Sequence, residues 1–150
     1  LSIKHPIKLS LAGNIAPEII SEIKISYPKL DIIFCGYLSH KEAIGLMKSA
    51  NLLINFIFLG AQSQMISGKI LEYIATEIPI LSIGDPDSEA AKFLEQGTAA
   101  VMLDQANLKE MSLFIDNVIS QKDTLRNKFY NLENWSREAL TRRLIQEILS

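Results

Sequence analysis

The interpretation of this chain starts from the stretch Ser67-Gly68-Lys69-Ile70-Leu71-Glu72-Tyr73-Ile74-Ala75, which is followed two residues later by Ile78-Pro79-Ile80-Leu81. The first run suits a helix, and the second is a short apolar run of the kind that forms a buried strand. A helix that leads into a buried strand is the repeating element of an α/β fold.

The same alternation continues along the whole chain and predicts an α/β fold, a Rossmann-like three-layer domain with about five largely parallel strands flanked by helices. Ser39-x-x-Glu42 has the spacing of a capping box at a helix start. We expect strands near Ile7–Ala12, Asp31–Cys35, Leu52–Phe56, Pro79–Ile83 and Ala99–Leu103. We expect helices near Pro17–Ser26, from Ser39, and near Gly68–Thr76, Ser88–Gln96, Leu108–Ser120, Asp123–Leu132 and Ser136–Leu149.

Composition is that of one ordinary globular domain over residues 1–150. With 48% apolar residues, a chain of this length can bury roughly 70% of its unfolded surface without a disulfide or a metal. The net charge of -2 is spread along the chain, so we expect no nucleic-acid partner and no anionic lipid surface. The single Cys35 reads as a structural thiol, and no apolar run reaches the roughly 20 residues of a membrane span. A cytoplasmic location is therefore expected.

The helix that begins near Ser67 has residue types that suit a nucleoside diphosphate. Ser67 and Gly68 at a helix start leave backbone N–H groups free to face phosphate, and the helix dipole favours negative charge there. Lys69 adds a cation, and Glu72, three residues later, shares its helical face and can accept hydrogen bonds from ribose hydroxyls. Alternatively, Lys69 and Glu72 form an ordinary solvated pair.

Other candidate residues lie in loops that follow the predicted strands, because ligands of such sheets collect at the carboxyl ends of the strands. Gly13 and Asn14 follow the first strand, where they either contact the ligand or only end the strand in a left-handed turn. Residues 58–67 form the longest loop, and Ser63 and Gln64 within it are candidates for ligand contact.

Metal binding is not expected. Asp85-Pro86-Asp87 has the spacing of a metal-binding D-x-D sequence, but these residue types also favour a turn, with Ser88 as the cap of the next helix. His5 and His40 lack the paired spacing of a zinc site. Trp135 reads as a packing anchor for the final helix.

The stretch around Lys69 and Glu72 resembles the G-K-x-x-E-Y-[IL]-A sequence of bacterial GT-B-fold nucleotide-sugar glycosyltransferases, of the group 1 or family 4 type, followed by their P-[IV]-[LI] strand. The resemblance covers nearly the whole chain. It also includes, in the family's order, residues 34–43, 50–53, 83–91 and 136–141.

This resemblance implies a donor-nucleotide-binding domain that holds a nucleoside diphosphate sugar, such as a UDP-sugar, without a metal or other cofactor. Lys69 would stabilise the leaving diphosphate, and Gly36, Tyr37 and Leu38 would contact the base, although simple packing is the alternative for Tyr37 and Leu38. The acceptor and any general base would come from a missing N-terminal domain. The chain would then be an inactive fragment of a two-domain enzyme of cell-surface polysaccharide or glycoconjugate synthesis. It would be located in the cytoplasm, with attachment to the inner face of the membrane through that domain as an alternative.

Two features depart from the family pattern. The family's first strand-helix unit is missing, since Ile7 to Gly13 aligns with its second strand, and an exposed sheet edge could then be covered by a second copy of the chain. The resemblance implies that Ser63 and Gln64 contact the donor sugar, but Gln64 stands where many relatives have a Glu eight residues before the ribose-binding acid. The main alternative function is a non-catalytic α/β regulatory or protein-interaction module. A dinucleotide oxidoreductase is less favoured, because no G-x-G-x-x-G follows a strand.

Overall fold

The protein was analysed as a computed structural model, which describes residues 6–57, 66–130 and 132–149. The chain divides into two compact units, Leu1–Ser49 and Ala50–Ser150, and each contains its own parallel sheet. We call them unit one and unit two and describe each by itself. The expectation of one domain over residues 1–150 stays a prediction.

Unit one is a β-α-β-α arrangement made of β1 (Lys8–Ala12), α1 (Pro17–Ser26), β2 (Asp31–Gly36) and α2 (His40–Ser49). The two strands pair in parallel, from Lys8 opposite Asp31 to Ala12 opposite Gly36. Burial alternates along β1, as expected for a strand with one covered face. Because the strands are parallel, the loops that follow them lie at the same end of this sheet.

The start of α2 is a capping box, as predicted from Ser39-x-x-Glu42. The Glu42 carboxylate accepts hydrogen bonds from the Ser39 backbone N–H at 2.8 Å and from the Ser39 hydroxyl at 2.6 Å. The Ser39 hydroxyl oxygen in turn accepts a bond from the Glu42 N–H at 3.4 Å. These bonds hold the pKa of Glu42 below its ordinary value, because they stabilise the charged carboxylate.

Unit two has a three-stranded sheet with the order β3-β4-β5, and both strand pairs are parallel. Its elements in chain order are β3 (Leu53–Phe56), α3 (Gly68–Ile74), β4 (Ile80–Ile83), α4 (Glu89–Leu94), β5 (Ala100–Leu103), α5 (Leu108–Ser120), a 3-10 helix (Leu132–Trp135) and α6 (Arg137–Leu149). The short strand bounds fit the short apolar runs of the sequence.

The central strand β4 is covered on both faces of this sheet. Leu81, on one face, forms a core cluster with Leu103 and with Met111 of α5. Both crossovers, β3-α3-β4 and β4-α4-β5, step across the sheet in the same direction, so right-handed connections place α3 and α4 together on the opposite face. Unit two therefore has a helical layer on each side of its sheet.

One predicted helix is wrong. The helix was expected over 123–132, but the described residues 123–130 contain no helix, because the chain around Asn127 bonds to other segments instead of to its own preceding turn. The Asn127 N–H donates to the Glu77 carbonyl at 2.8 Å, and the Asn127 side-chain oxygen accepts from the Ala99 N–H at 3.1 Å. Thr98 adds backbone and hydroxyl bonds to Arg126 and Lys128. The segment thus ties the end of α3 to the start of β5.

An aromatic cluster lies beside this segment. The Phe93 ring of α4 packs against Phe129, with 5.6 Å between ring centroids, and edge-on against Trp135, with 4.6 Å. Arg143 of α6 lies over the Trp135 ring and donates to the Asn134 carbonyl at 2.9 Å. These contacts confirm the prediction that Trp135 anchors the final helix by packing.

The fold is thus α/β with parallel strands flanked by helices, as the sequence predicted, and it is compatible with a Rossmann-like three-layer arrangement. The division of the strands between two sheets was not predicted. The strands and most helices lie within one or two residues of their predicted bounds. Within the three described ranges, no helix has the length and apolar character needed to cross a membrane.

The capping box predicts an acid-dependent loss of stability. Glu42→Gln should lower the melting temperature at pH 7, because a neutral amide replaces the charge-assisted acceptor at the start of α2. The folded-state pKa of Glu42 is lowered, so its contribution is complete above the ordinary value near 4.5 and is lost as the pH falls through the folded value. Melting curves of both proteins from pH 7 to pH 3 should therefore converge. A difference that stays constant across this range would contradict the role of the charge.

Gly97 allows a prediction about packing in unit two. A Cβ atom at this position would collide with the Phe129 ring and with the Asn127 side-chain oxygen, whereas a Cβ at Gly45 in α2 would meet nothing within 4 Å. Gly97→Ala should destabilise the protein by about 1–3 kcal/mol, the usual cost of overpacking. Gly45→Ala, the matched control, should stabilise it by up to about 1 kcal/mol, because alanine favours helix. Denaturant unfolding of both variants would test this, and equal effects would contradict it.

Candidate functional site

The candidate phosphate site is the first turn of α3, in unit two. Ser67 has an extended backbone and caps the helix, since its hydroxyl oxygen accepts a hydrogen bond from the Ile70 N–H at 3.4 Å. The same N–H also bonds to the Ser67 carbonyl at 3.0 Å. Among the described residues, the N–H groups of Gly68 and Lys69 have no acceptor, as expected in a first helical turn.

The two faces of α3 differ sharply in burial. Ile70 and Ile74 are 0% and 1% exposed and fix the helix in the core of unit two. Lys69 and Glu72 are both exposed. Within the described parts of the chain neither side chain forms an ion pair, and the ordinary solvated helix face that the sequence allowed stays an alternative. The helix therefore presents a cation and an acid to solvent.

The helix ends earlier than predicted, at Ile74 instead of Thr76. Glu77, with φ of 58°, adopts the left-handed conformation, and its N–H bonds to the Ile74 carbonyl at 3.1 Å. The Thr76 hydroxyl donates to the Tyr73 carbonyl at 2.6 Å and accepts from the Ile78 N–H at 3.3 Å. This tight turn uses the last carbonyls of α3 and directs the chain into β4.

Tyr73, which follows Glu72, connects α3 to the sheet. Its hydroxyl donates to the carbonyl oxygen of Ile54 in β3 at 3.4 Å, and the side chain is half-buried. Burial raises the pKa of Tyr73 above its ordinary value, and the negative charge of Glu72 raises it further. This electrostatic coupling links Tyr73 to the candidate ribose-binding acid.

A second group of predicted residues lies in unit one, at the carboxyl ends of β1 and β2. Gly13, with φ of 125°, and Gly36, with φ of 65°, adopt left-handed conformations that favour glycine. The Gly13 N–H donates to the Gly36 carbonyl at 2.8 Å, so the two loops lie side by side. The left-handed turn that the sequence allowed is present at Gly13 but not at Asn14.

The side chains of these loops differ in exposure. Asn14 is exposed, Tyr37 is 80% exposed, and Leu38 is half-buried. The alternative for Tyr37 and Leu38 was packing beneath α2. The exposure of the Tyr37 ring shows that this side chain is not packed there. The structure brings Gly13, Asn14 and Gly36 to the same sheet end, and their contact with a nucleotide stays a prediction.

The predicted donor-sugar residues, Ser63 and Gln64, lie outside the described residues, as does His5. Asp85-Pro86-Asp87 forms the predicted turn: the Asp85 carboxylate accepts from the Asp87 N–H at 2.9 Å, and Ser88 caps α4. In the ranges that the structure describes, no three His, Cys, Asp or Glu side chains come together in a way that could hold a metal ion.

A buried polar pair was not identified from the sequence. Asn55 in β3 and Ser82 in β4 are opposite each other in the sheet, 4% and 0% exposed, with 3.5 Å between the Asn55 amide nitrogen and the Ser82 hydroxyl oxygen. Both are next to the last residue of their strand. Each is the single polar residue of a four-residue apolar strand, at the third position. This shared pattern in the sequence could have identified the pair.

Comparisons of the chain with protein-family models, with curated proteins and with solved structures gave no match. The likeness to glycosyltransferases therefore depends on the residues quoted from the sequence. What the structure adds is the placement of those residues.

The coupling of Tyr73 to Glu72 can be measured by titration. Following phenolate absorbance with rising pH should show one tyrosine that titrates above the ordinary value of about 10, and Tyr73→Phe should remove it. Glu72→Gln should lower the pKa of Tyr73, because it removes a negative charge that opposes phenolate formation. Since the folded pKa is raised, the contribution of Tyr73 to stability is complete below pH 10 and is lost as the pH rises through the folded value. An unchanged titration in Glu72→Gln would contradict the coupling.

Proposed function

We propose that this chain is the donor-nucleotide-binding part of a glycosyltransferase that transfers a sugar from a nucleoside diphosphate sugar to an acceptor. The proposal is carried by one observation. Lys69 and Glu72 are both exposed and not paired with each other on one side of α3, whose opposite side is fixed by Ile70 and Ile74. A cation and an acid three residues apart provide separate partners for phosphate and for sugar hydroxyls.

In this function, Lys69 and the first-turn N–H groups near Ser67 and Gly68 bind the diphosphate. When the bond between the anomeric carbon and the β-phosphate oxygen breaks, negative charge grows on that phosphate, and fixed donors lower the energy of the transition state. Glu72 accepts hydrogen bonds from the vicinal ribose hydroxyls. The acceptor and any general base come from a further domain, so the chain binds the donor without turning it over.

The loop in unit one contributes a separate part of the proposal. The exposed Tyr37 and the backbone of Gly36 and Leu38 are available to a nucleobase, and Gly13 and Asn14 lie at the same sheet end. Ser63 and Gln64 remain the candidates for the donor sugar. Each of these contacts stays a prediction, separate from the contacts predicted for α3.

The site on α3 predicts that two substitutions weaken binding in different ways. Lys69→Ala removes a charge-assisted contact with phosphate. It should lower the affinity for a nucleoside diphosphate about tenfold to a hundredfold, and the affinity for a free nucleoside much less. Glu72→Gln should lower the affinities for the ribonucleoside and for its diphosphate by the same factor. The affinity for the 2′-deoxy diphosphate should fall less, because that ligand already lacks one of the hydroxyls. Calorimetric titration of each variant with all three ligands gives the measurement.

Lys92→Ala is a suitable control for the loss of a lysine, since Lys92 lies in α4 and is exposed like Lys69. It should change none of the three affinities. Melting curves must show that every variant is folded. If Lys69→Ala and Glu72→Gln bind all ligands like the parent protein, α3 is a scaffold element and the proposed site is wrong.

The alternative, a non-catalytic α/β regulatory or protein-interaction module, is favoured by one observation. Helix α6 exposes an apolar face made of five side chains, Leu140, Leu144, Ile145, Ile148 and Leu149. Exposed apolar patches of this kind often mark contacts with another chain. A parent protein that binds no nucleoside diphosphate but sediments as a dimer would favour this alternative, and a strictly monomeric protein at high concentration would exclude the homodimer.

A further inference from the structure

The fully buried side chains of α3 lie along one line. Ile70 and Ile74 are one helical turn apart and both fully buried, so they form a line of contact parallel to the helix axis. A line of contact fixes the distance between the helix and the core. It opposes rotation of the helix about that line much less.

Tyr73 lies to one side of this line. Successive residues of a helix are about 100° apart around the axis, so the Tyr73 side chain leaves α3 at a different angle from Ile74. Its hydroxyl reaches the backbone carbonyl of Ile54, a strand atom that is itself held in the sheet by the pairing of β3 with β4. A bond placed off the contact line resists rotation of the helix.

We propose that Tyr73 is a positioning residue that sets the rotation of α3, and that recognition of the ribose hydroxyls by Glu72 depends on it. This inference rests on the proposed function, because it concerns how well Glu72 meets its ligand. Glu72 is the neighbour of Tyr73 in the chain, and its charge acts on the Tyr73 hydroxyl. A rotation of the helix moves Glu72 and Tyr73 together.

Lys69 should depend on this rotation far less than Glu72. The lysine ammonium is a point charge on a flexible four-carbon stem, so it can follow a phosphate through a small movement of the backbone. The carboxylate of Glu72 is on a shorter stem and must meet two adjacent hydroxyls at once. Loss of the Tyr73 hydroxyl therefore affects sugar selectivity more than phosphate binding.

The test is the ratio of two affinities in Tyr73→Phe, which keeps the ring and removes the hydroxyl. The preference of the protein for a ribonucleoside diphosphate over its 2′-deoxy analogue should fall about threefold to tenfold, the usual value of one hydrogen bond. The preference for the diphosphate over the free nucleoside should change by less than about twofold, since it reports on phosphate contacts. A uniform loss in all three affinities would overturn the inference, because a structural defect alone produces it.

Thr76→Val is the matched control. It removes the hydroxyl bonds from Thr76 to the Tyr73 carbonyl and the Ile78 N–H, and so weakens the end of α3 without removing the bond from Tyr73 to Ile54. It should lower the melting temperature and leave both affinity ratios unchanged. If it reduces the ribose preference as much as Tyr73→Phe does, general loosening of the helix is the cause and the positioning role is wrong.

The ribose preference of the parent protein distinguishes failure of this inference from failure of the proposed function. A parent that prefers the ribonucleotide, together with a Tyr73→Phe variant that keeps the full preference, contradicts only the role of Tyr73. A parent that shows no ribose preference contradicts the role of Glu72 as the ribose acceptor, and the positioning role is then wrong as well.

Discussion

Burial of β4 on both faces is the constraint on which the structure of unit two depends. Ile80, Leu81 and Ser82 are each at most 1% exposed, so helices must cover this strand from both sides. The chain meets this requirement with α3 and α4 on one face and α5 on the other. The faces of the sheet are then filled with side chains, and a ligand can reach the sheet only at the ends of the strands.

The functional argument follows from the same constraint. Because Ile70 and Ile74 are used to cover the sheet, the helical periodicity directs Lys69 and Glu72 outward. Packing therefore determines which side chains of α3 are available to a ligand. Ser67 contributes by fixing the residue at which the helix begins, and hence the position of its first-turn N–H groups.

The sequence predicted those features that neighbouring residues determine. The capping box of Ser39 and Glu42, the turn at Asp85 and the cap of Ser88 all depend on contacts within a few residues, and the strands follow the short apolar runs of the sequence. The helix expected over 123–132 was wrong because Asn127 bonds to Glu77 and Ala99, which are distant in the chain. Leu125 and Phe129 have helical spacing, and periodicity alone does not show that long-range hydrogen bonds replace the helix.

The candidate site also has features that the sequence could predict and features that it could not. The placement of Lys69 and Glu72 on one side of α3 could be predicted, since helix geometry fixes the positions of residues three apart. The bond from Tyr73 to Ile54 and the pair of Asn55 with Ser82 could not, because each joins residues from different elements. Gly13 and Gly36 could be selected as candidate site residues from their residue type. The hydrogen bond that places their loops side by side appears only in the folded structure.

The contacts of Asn127 also bear on the order in which the protein folds during synthesis. Asn127 is 0% exposed and joins the turn after α3 to the start of β5, so neither junction is complete until this residue has left the ribosome. The strands of unit two are all synthesised earlier, and their edges stay less protected during that interval. Unit two is therefore expected to reach its native state only after residue 127 has emerged, and a ribosome stalled before residue 127 should carry a nascent chain that proteases cut readily.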